Sequence, residues 1–457
     1  MERLSVVDEI FLRTHRGLGT PIALQGVWRT ADRVDPALLD QLHAALRTGR
    51  LGRRVLRARV PGARRAWRPT VRAYPVDYPA TPIPGAALLD WADAQGAGLD
   101  PEFGPGWRLA AVPVVDGGTL VSLTCSHALA DGRGLVHAVD AALARVAAAR
   151  EDPTAAGMRS GADGTDAVEN ISAAELSGSM DHLSGAADGP SIPATFGGDS
   201  DWIDARRQWW TVLRGTARAL RRGIPRRAVT TETEGRELSD RPPRTAILQF
   251  PAEEWDRLAA EQGGTANSLF VWLIANLLWD SGFPRERIEA SLPVDTRSEP
   301  RTDNDLAVTS IGVTRADDPA TIREKARVAY EYRMTSPGGM PEEILQVIPD
   351  RWAHALARGA GERDILCSNI GSLPDTLLTL GSHRCTGVAA RAIHPGLRQL
   401  PRTRLSGYLC RIGANYTLAL VGLDPVFESS AALVELVGRR AGKLPIPIES
   451  WQPRSLT

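Results

Sequence analysis

A break in composition divides this chain and constrains its fold more than any other sequence feature. Residues 151–202 are rich in Gly, Ala, Ser and Asp and contain few large apolar side chains, which is typical of a flexible linker. On either side, short apolar runs with strand character alternate with segments that have helical apolar spacing. We therefore predict two lobes of mixed α/β structure, at residues 1–150 and at residues 203–457.

The individual elements follow from periodicity and turn residues. In the first half, strands and helices are predicted at residues 22–30, 36–48, 54–60, 65–71, 86–94, 107–115, 119–125 and 132–149. In the second half they are predicted at residues 203–222, 245–250, 252–261, 288–293, 306–313, 321–334, 364–369 and 429–438, with further strands near residues 389, 407 and 416. Thr265 is expected to cap a long apolar helix. No short repeat period is visible, which excludes a solenoid.

The composition excludes several classes of protein. Hydrophobic residues make up 43% of the 457 residues, as in ordinary globular enzymes, and Lys+Arg equals Asp+Glu at 54 each, which gives no overall positive charge for nucleic acid. None of the four cysteines is spaced C-x-x-C and no metal-ligand cluster is visible, so we expect free thiols and no metal. Because we find neither a secretory signal pattern nor a long apolar run, we expect a cytoplasmic protein, and a peripheral membrane contact stays open.

One segment carries the residue types that acid–base chemistry needs. In VSLTCSHALADGRGL, residues 121–135, an apolar strand leads into His127, then into Asp131 and Gly132, and then into a helix. An imidazole accepts protons near neutral pH, and the end of a strand holds a side chain rigidly at a cleft. Gly132 lets the backbone turn sharply and leaves room for a substrate. We predict that His127 is a general base.

Structural interpretations of the same segment stay open beside the catalytic one. His127 could be a merely structural histidine, and Asp131 could cap the following helix, bind an arginine or contact the imidazole. Cys125 lies two residues before His127 on the strand and shares its face, where a buried inert thiol is favoured over a nucleophile. No G-x-S-x-G elbow, P-loop or dinucleotide-binding motif occurs.

The segment at residues 203–222 is predicted to be an amphipathic helix. One face carries Trp209, Val212, Leu213, Thr216, Ala217 and Leu220, and the opposite face carries Arg214, Arg218 and Arg221. We expect the Trp face to pack on the body of the protein. The alternative is a basic amphipathic element that contacts lipid or an acidic partner.

The segment SHALADG resembles the active-site motif of a superfamily that contains coenzyme A-dependent acyltransferases and peptide-synthetase condensation domains. The motif has the form H-H-x-x-x-D-G, and the chain matches its second His at His127, its Asp at Asp131 and its Gly at Gly132. The chain departs from the motif at the first His, which is Ser126 here. In the superfamily the second His is assigned to catalysis, so the resemblance implies catalytic roles for His127, Asp131 and Gly132.

Four further stretches resemble motifs of the bacterial wax ester synthase/diacylglycerol acyltransferase family and occur in the same order. They are LSVVDEIFL, GGTANSLFVWLIANLL with its Thr-x-Asn, SLPVDTR with its Pro-Val-x-x-Arg, and CSNIGSLP with its Ser-Asn. The usual Val-Pro-Gly continuation of the last motif is absent here. The order of these motifs carries more weight than any one of them.

The resemblance implies a pseudo-dimer of two chloramphenicol-acetyltransferase-like lobes, with a tunnel between them that holds His127. His127 would take a proton from an acceptor that attacks an acyl thioester, with no covalent enzyme intermediate. The Gly132 amide and the Ser368 hydroxyl would bind the oxyanion, and Arg297 would pair with Asp131 to brace the loop. A solvated arginine at the strand end is the alternative for Arg297.

Motif position assigns a further set to substrate binding or loop support: Ser126, Arg297, Ser368 and Asn369. Asn267 is expected to support the start of its own helix. The leading interpretation is transfer of an acyl group from acyl-CoA to a hydroxyl acceptor. A condensation-type enzyme of natural-product biosynthesis, which forms an ester or amide from a carrier-protein-bound acyl donor, is the alternative, and a catalytically silent docking module is a third interpretation.

These interpretations fix the expected ligands. We expect no bound cofactor, because acyl-CoA or an acyl-carrier-protein thioester would be a co-substrate. The other partner would be a small-molecule alcohol or amine, and no nucleic acid is expected.

Overall fold

The computed structural model describes residues 2–18, 22–151, 200–222, 242–299, 301–331, 363–397, 400–442 and 446–452. The predicted linker at residues 151–202 therefore lies almost wholly outside the described residues. Within the described part of the chain, no helix combines the length and the apolar character needed to cross a bilayer.

The chain up to residue 151 forms helices and strands in alternation. The helices are α1 (Val6–Leu18), α2 (Pro36–Arg47), α3 (Leu88–Ala94) and α4 (Gly132–Glu151). The strands are β1 (Ala23–Thr30), β2 (Arg53–Leu56), β3 (Ala66–Pro69), β4 (Trp107–Pro113) and β5 (Thr119–Ser126).

The chain from residue 200 onward continues the mixture. Its helices are α5 (Asp201–Arg222), α6 (Ala252–Glu261), α7 (Ala266–Asp280), α8 (Pro319–Glu331) and α9 (Ser430–Ala441). Its strands are β6 (Arg244–Pro251), β7 (Arg287–Asp295), β8 (Leu306–Thr314), β9 (Ile365–Ser372), β10 (Thr379–Leu380), β11 (His383–Ile393), β12 (Leu405–Ile412), β13 (Asn415–Gly422) and β14 (Glu449–Ser450). The mixed α/β class predicted from the sequence is confirmed.

Two elements depart from the sequence predictions. Helix α1 was not predicted, because its sequence mixes charged residues with apolar ones and has no long apolar run. The hairpin of β2 and β3 is shorter than predicted, with four residues in each strand. Its turn contains Gly62, which has a φ of 88°, a conformation that glycine adopts without strain.

The first large sheet has the strand order β10-β11-β1-β5-β4 and is antiparallel throughout. Its central strand β1 pairs with β5 on one side and with β11 on the other. In one row across the sheet, Ala23 of β1 lies between Ser126 of β5 and Ile393 of β11. The strand that leads to His127 is therefore held next to the middle of the sheet.

The second large sheet has the order β14-β6-β13-β12-β9-β7-β8. Strand β9 runs parallel to β12 and to β7, while the other pairs are antiparallel. Helix α7 is apolar nearly all round and is buried against this sheet, as expected for a helix without a solvent face. Its N-terminus has the predicted cap, since the Thr265 side chain accepts from the backbone N–H of Ser268.

The predicted lobe boundaries do not coincide with the sheets. Strand β11 belongs by sequence to the second half, yet it pairs with β1 in the first sheet. Helix α5 also docks on the first half, where Asp204 forms an ion pair with Arg64 at 2.8 Å. Periodicity identifies a strand or a helix but does not say which sheet it joins, so these two contacts between the halves could not be predicted from the sequence.

The hydrophobic cores of the two sheets lie on opposite faces of β13, because alternate residues of this strand belong to different cores. Leu418 and Leu420 belong to the core that α7 covers, whereas Ala419 and Val421 belong to the core of the first sheet. Because successive strand residues point to opposite faces, the second sheet is covered on one side by its helices and on the other by the first sheet. The site described next lies where the two halves meet.

Candidate active site

His127 is the first residue after β5, at the end of a fully buried strand. Its backbone N–H donates to the carbonyl of Ile22 at 2.9 Å, which extends the pairing of β5 with β1 by one residue. The imidazole stacks on the ring of Phe11 from α1, with ring centroids 3.5 Å apart and an interplanar angle of 14°. The His127 side chain is thereby fixed in orientation while it stays partly exposed.

The imidazole is also held at one nitrogen by Asn304, which the sequence analysis did not identify. Nδ1 of His127 lies 3.1 Å from Oδ1 of Asn304. The amide nitrogen of Asn304 donates to Oδ1 of Asp8 at 2.8 Å and to the carbonyl of His127 at 2.9 Å, which leaves Oδ1 as the acceptor. The proton of the neutral imidazole therefore sits on Nδ1, and the lone pair is on Nε2.

Asp8 anchors this arrangement from the start of α1. Its N–H donates to Oγ of Ser5 at 3.0 Å, and its Oδ2 accepts from the N–H of Ser5 at 2.9 Å, which is the reciprocal capping arrangement of a helix N-terminus. Burial raises the pKa of Asp8, against the hydrogen bond from Asn304. The motif LSVVDEIFL thus forms the helix cap that positions Asn304.

Asp131 is buried and has several partners. Its Oδ1 accepts from the N–H of Gly134 at 2.8 Å and pairs with the guanidinium of Arg297 at 2.5 Å, and its Oδ2 accepts from the N–H of Asp305 at 3.0 Å. It therefore both caps α4 and binds an arginine, and no hydrogen bond to the imidazole is found among the described residues. Asp131 is therefore connected to His127 through the loop that it braces.

Arg297 is buried rather than solvated, with 4% of its side chain exposed. It also pairs with Asp295 at 2.7 Å and donates to the carbonyl of Arg301 at 3.1 Å. Burial opposes its charge, but the two carboxylates raise its pKa above the ordinary value. The guanidinium thus joins the loop after His127 to the segment between β7 and β8.

Arg53, from β2, holds the same two segments together from another side. Its guanidinium donates to the carbonyl of Leu129 at 2.7 Å and forms an ion pair with Asp303. Its Cζ lies 4.1 Å from the centre of the Trp67 ring. The residue before Asn304 and the loop after His127 are therefore fastened to one buried cation.

Other residues expected at the site lie around this centre. Ser126 is buried, and its hydroxyl accepts weakly from the N–H of Ala128, at 3.4 Å. A methyl group added at Gly132 would lie 3.7 Å from Ile370, so β9 passes beside the N-terminus of α4. Arg133 of α4 holds β9 in this position, because its guanidinium donates to the carbonyl of Ser372 at 2.8 Å.

Ser368 and Asn369 lie on β9. Ser368 is partly exposed, and Nδ2 of the exposed Asn369 donates to Oδ1 of Asn267 at 3.1 Å. Asn267 in turn donates to the hydroxyl of Tyr330 at 3.0 Å. The structure therefore brings the Thr-x-Asn and Ser-Asn motifs into contact with each other, and Asn267 links α7 to β9 as well as supporting its own helix.

A second histidine lies near the first, although the sequence analysis gave it no role. Ala23 of β1 pairs with Ile393 of β11, so the next residue, His394, lies opposite Ile22. On its other side, the Ile22 carbonyl accepts the backbone hydrogen bond from His127. Burial, and secondarily the proximity of His127, lower the pKa of His394 to about 4. Burial also lowers the pKa of His127, more than its own backbone, Asp131 and Asn304 raise it. Both rings are therefore neutral at neutral pH.

The remaining nucleophile candidate is inert. Cys125 is fully buried, and burial raises the pKa of its thiol to about 12. A thiol is a nucleophile only as the thiolate, so this environment favours the structural interpretation. The four cysteines are all buried and free, and the described residues contain no group of three or more side chains arranged to hold a metal ion.

Comparison with known proteins shows which fold this is. No family model matches the chain, and no curated protein matches it in sequence. Among solved structures, the first condensation domain of the CDA synthetase matches 96% of this chain and 94% of its own, with 15% identity and a TM-score of 0.57. The wax ester synthase/diacylglycerol acyltransferase from Marinobacter aquaeolei VT8 matches 97% and 98%, with 16% identity and a TM-score of 0.55.

A third solved structure is the starter condensation domain of the rhizomide synthetase RzmA, a mutant in complex with C8-CoA and Leu-SNAC. It matches 96% of this chain and 92% of its own, with 12% identity and a TM-score of 0.54. All three likenesses run over nearly the whole of both chains. The protein therefore has the two-lobed, chloramphenicol-acetyltransferase-like fold that the sequence motifs implied.

The buried pair of Asp131 and Arg297 gives a test of stability. Replacing Asp131 by Ala leaves a buried guanidinium without one of its partners, so we expect Asp131→Ala to lower the free energy of unfolding by about 3–5 kcal/mol. The matched control is Glu331→Ala, which removes an exposed partner of Arg327 and should change the free energy of unfolding far less, because an exposed ion pair is screened by solvent. Urea unfolding measures both variants, and equal small losses would show that the pair does not brace the site.

Proposed function

We propose that the protein is an acyltransferase that moves an acyl group from a thioester donor to a hydroxyl acceptor, with His127 as the general base. The observation that carries this proposal is the hydrogen bond from Nδ1 of His127 to Asn304, which leaves the Nε2 lone pair free. Nε2 has no hydrogen-bond partner among the described residues. A fixed, neutral imidazole of this tautomer is equipped to take a proton from an acceptor.

The chemical step follows from that tautomer. Nε2 takes the proton of the acceptor hydroxyl while the hydroxyl oxygen attacks the thioester carbonyl carbon and forms a C–O bond. The tetrahedral intermediate then collapses, the C–S bond breaks, and the imidazolium returns its proton to the departing thiolate. The products are an ester and a free thiol, and no side chain is acylated.

Two groups could stabilise the oxyanion of that intermediate. Gly132 is the first residue of α4, where backbone N–H groups without helical partners and the positive end of the helix dipole favour negative charge. Ser368 offers a hydroxyl from β9, which approaches Gly132 through Ile370. Asp131 and Arg297 serve this site as positioning residues, since they hold the loop between His127 and α4.

The nature of the donor and acceptor rests on the fold neighbours. The mutant rhizomide synthetase domain is in complex with C8-CoA and Leu-SNAC, an acyl-CoA and an amine. This supports acyl-CoA as the donor and a small molecule as the acceptor. A carrier-protein thioester with an amine acceptor is the second candidate, favoured by the likeness to condensation domains of synthetases. The free, buried thiols support the cytoplasmic location predicted from the sequence.

Removal of the proposed base tests the function directly. Free thiol released from acyl-CoA or from an acyl-carrier protein should depend on an added alcohol or amine, and mass spectrometry should identify the ester or amide. Replacing His127 by Ala should lower kcat by about 10²–10⁴-fold in a variant that circular dichroism shows to be folded. His383→Ala is the control, because His383 lies at the start of β11 and binds Asp32 instead. Full activity of His127→Ala would reject the base, and a wild-type protein inactive with every donor would favour the silent docking module.

The lowered pKa of His127 predicts the pH dependence. Only the neutral imidazole accepts a proton, so activity should fall as the pH falls through the pKa of His127. Because burial lowers that pKa, the acid limb of kcat/KM should lie below the ordinary imidazole value of about 6.5. An acyl-pantetheine donor, which has no phosphate to titrate, makes the measurement clean. An acid limb at or above that value would contradict the buried, neutral base.

A further inference from the structure

Helix α5 is fastened to the first half of the chain along one side only. Near its N-terminus, Asp201 accepts from the backbone N–H of Arg59 at 2.9 Å and pairs with Arg3 at 2.8 Å. Asp204 accepts from the backbone of Arg64 and pairs with its guanidinium, each at 2.8 Å. The carboxylates of Asp201 and Asp204 therefore both bind the first half of the chain, on what we call the inner side of the helix.

The inner side is completed mainly by small and polar residues, and at its edge the Trp209 ring lies against Gly62 in the turn between β2 and β3. Ala205, Gln208 and Val212 are buried, and they follow Asp204 at helical spacing. The sequence prediction that the Trp face packs on the body of the protein therefore holds for part of that face: Val212 is buried and the half-buried Trp209 lies against Gly62, whereas Leu213 is exposed. Among the residues of that face whose side chains are described, Val212 is the large apolar one that is fully buried.

The outer side of α5 exposes an unusual amount of large apolar surface. Trp202 is 74% exposed, Leu213 59% and Trp210 55%, and Ile203 and Trp209 are also exposed. These five side chains make up half of the large hydrophobic residues that are exposed in the described part of the chain. An apolar patch of this kind on a folded protein marks a surface that binds a partner or a membrane.

Positive charge is interleaved with these side chains. Arg206, Arg214 and Arg221 are exposed on the same side, and the guanidinium of Arg214 lies 5.1 Å from the centre of the Trp210 ring. No carboxylate lies among the described outer side chains, because Asp201 and Asp204 face inward. The outer surface of α5 is therefore apolar and cationic together.

A neighbouring loop continues this surface beyond the helix. The guanidinium of Arg57 lies 5.1 Å from the centre of the exposed Phe103 ring and also forms an ion pair with the buried Glu102, which offsets its charge. Arg57 precedes Arg59, whose backbone is bound to Asp201 at the start of α5. A second arginine–aromatic pair thus lies near the N-terminal end of the helix.

We propose that the outer surface of α5 binds the surface of an anionic membrane, with the helix axis in the plane of the interface. The helix is about 33 Å long, and tryptophan and arginine are the side chains that combine an apolar body with affinity for headgroups. Charge complementarity selects anionic over neutral lipid. An acidic protein would need carboxylates matched to each arginine, whereas a fluid anionic surface adapts to their spacing. The proposal does not depend on acyl transfer.

Vesicle cosedimentation with the full chain tests this proposal. We expect the protein to pellet with vesicles of phosphatidylcholine and phosphatidylglycerol, to bind phosphatidylcholine alone less, and to dissociate as NaCl rises. The variant Trp210→Asp/Leu213→Asp should lower the partition coefficient at least about tenfold, since two apolar side chains are lost from the interface. The variant Val115→Asp/Val328→Asp places the same charges at exposed valines on other surfaces and should bind like the wild type.

Circular dichroism and gel filtration of the two double variants keep the result interpretable. Both variants should be folded, and neither should change in size. Failure of the wild type to bind the anionic vesicles, or equal binding by both double variants, would overturn the proposal. So would a wild-type dimer that only Trp210→Asp/Leu213→Asp dissociates, because the occupant would then be a second copy of the chain. Binding of an acidic carrier protein in place of the vesicles would assign the surface to that protein.

Discussion

The hydrogen bond between His127 and Asn304 is the interaction on which the proposed chemistry depends. It joins residues 177 positions apart and selects one tautomer of the imidazole. The amide of Asn304 can accept at Oδ1 because its nitrogen is occupied by Asp8 and by the His127 carbonyl. Without that orientation the lone pair could lie on either ring nitrogen, and the base would point at the substrate only part of the time.

Buried charge explains why this geometry needs both halves of the chain. Asp131 follows the first sheet, whereas Arg297 follows β7 of the second, and each is nearly inaccessible to water. A buried ion is stable only when it is paired and hydrogen-bonded. The loop that carries Asp131 and the segment that carries Arg297 therefore stabilise each other when they are in contact. Arg53 joins the same two segments through its ion pair with Asp303 and its hydrogen bond to the Leu129 carbonyl. The loop that carries the base is thus set by contacts from three separate parts of the chain.

Local patterns in the sequence predicted the site residues that lie close together in the chain, and they did not predict the contacts between distant segments. His127, Asp131 and Gly132 lie within six residues, between a strand and a helix, so local patterns and the motif resemblance find them. Asn304 lies 177 residues from His127, so no local pattern links the two. The one signal for it is the polar run RTDND directly before β8. The pairing of β11 with β1 and the outward direction of Trp202 and Trp210 in α5 depend on tertiary packing. Periodicity gives the face of an element but not what covers it.

The tautomer of His127 tests the central claim most directly. Nitrogen-15 NMR of protein labelled at histidine distinguishes a protonated ring nitrogen from one with a free lone pair. At neutral pH the account predicts a proton on Nδ1 and a lone pair on Nε2, a population that Asn304→Ala should redistribute between the two tautomers. A doubly protonated imidazole at neutral pH, or a proton on Nε2 in the wild type, would contradict it.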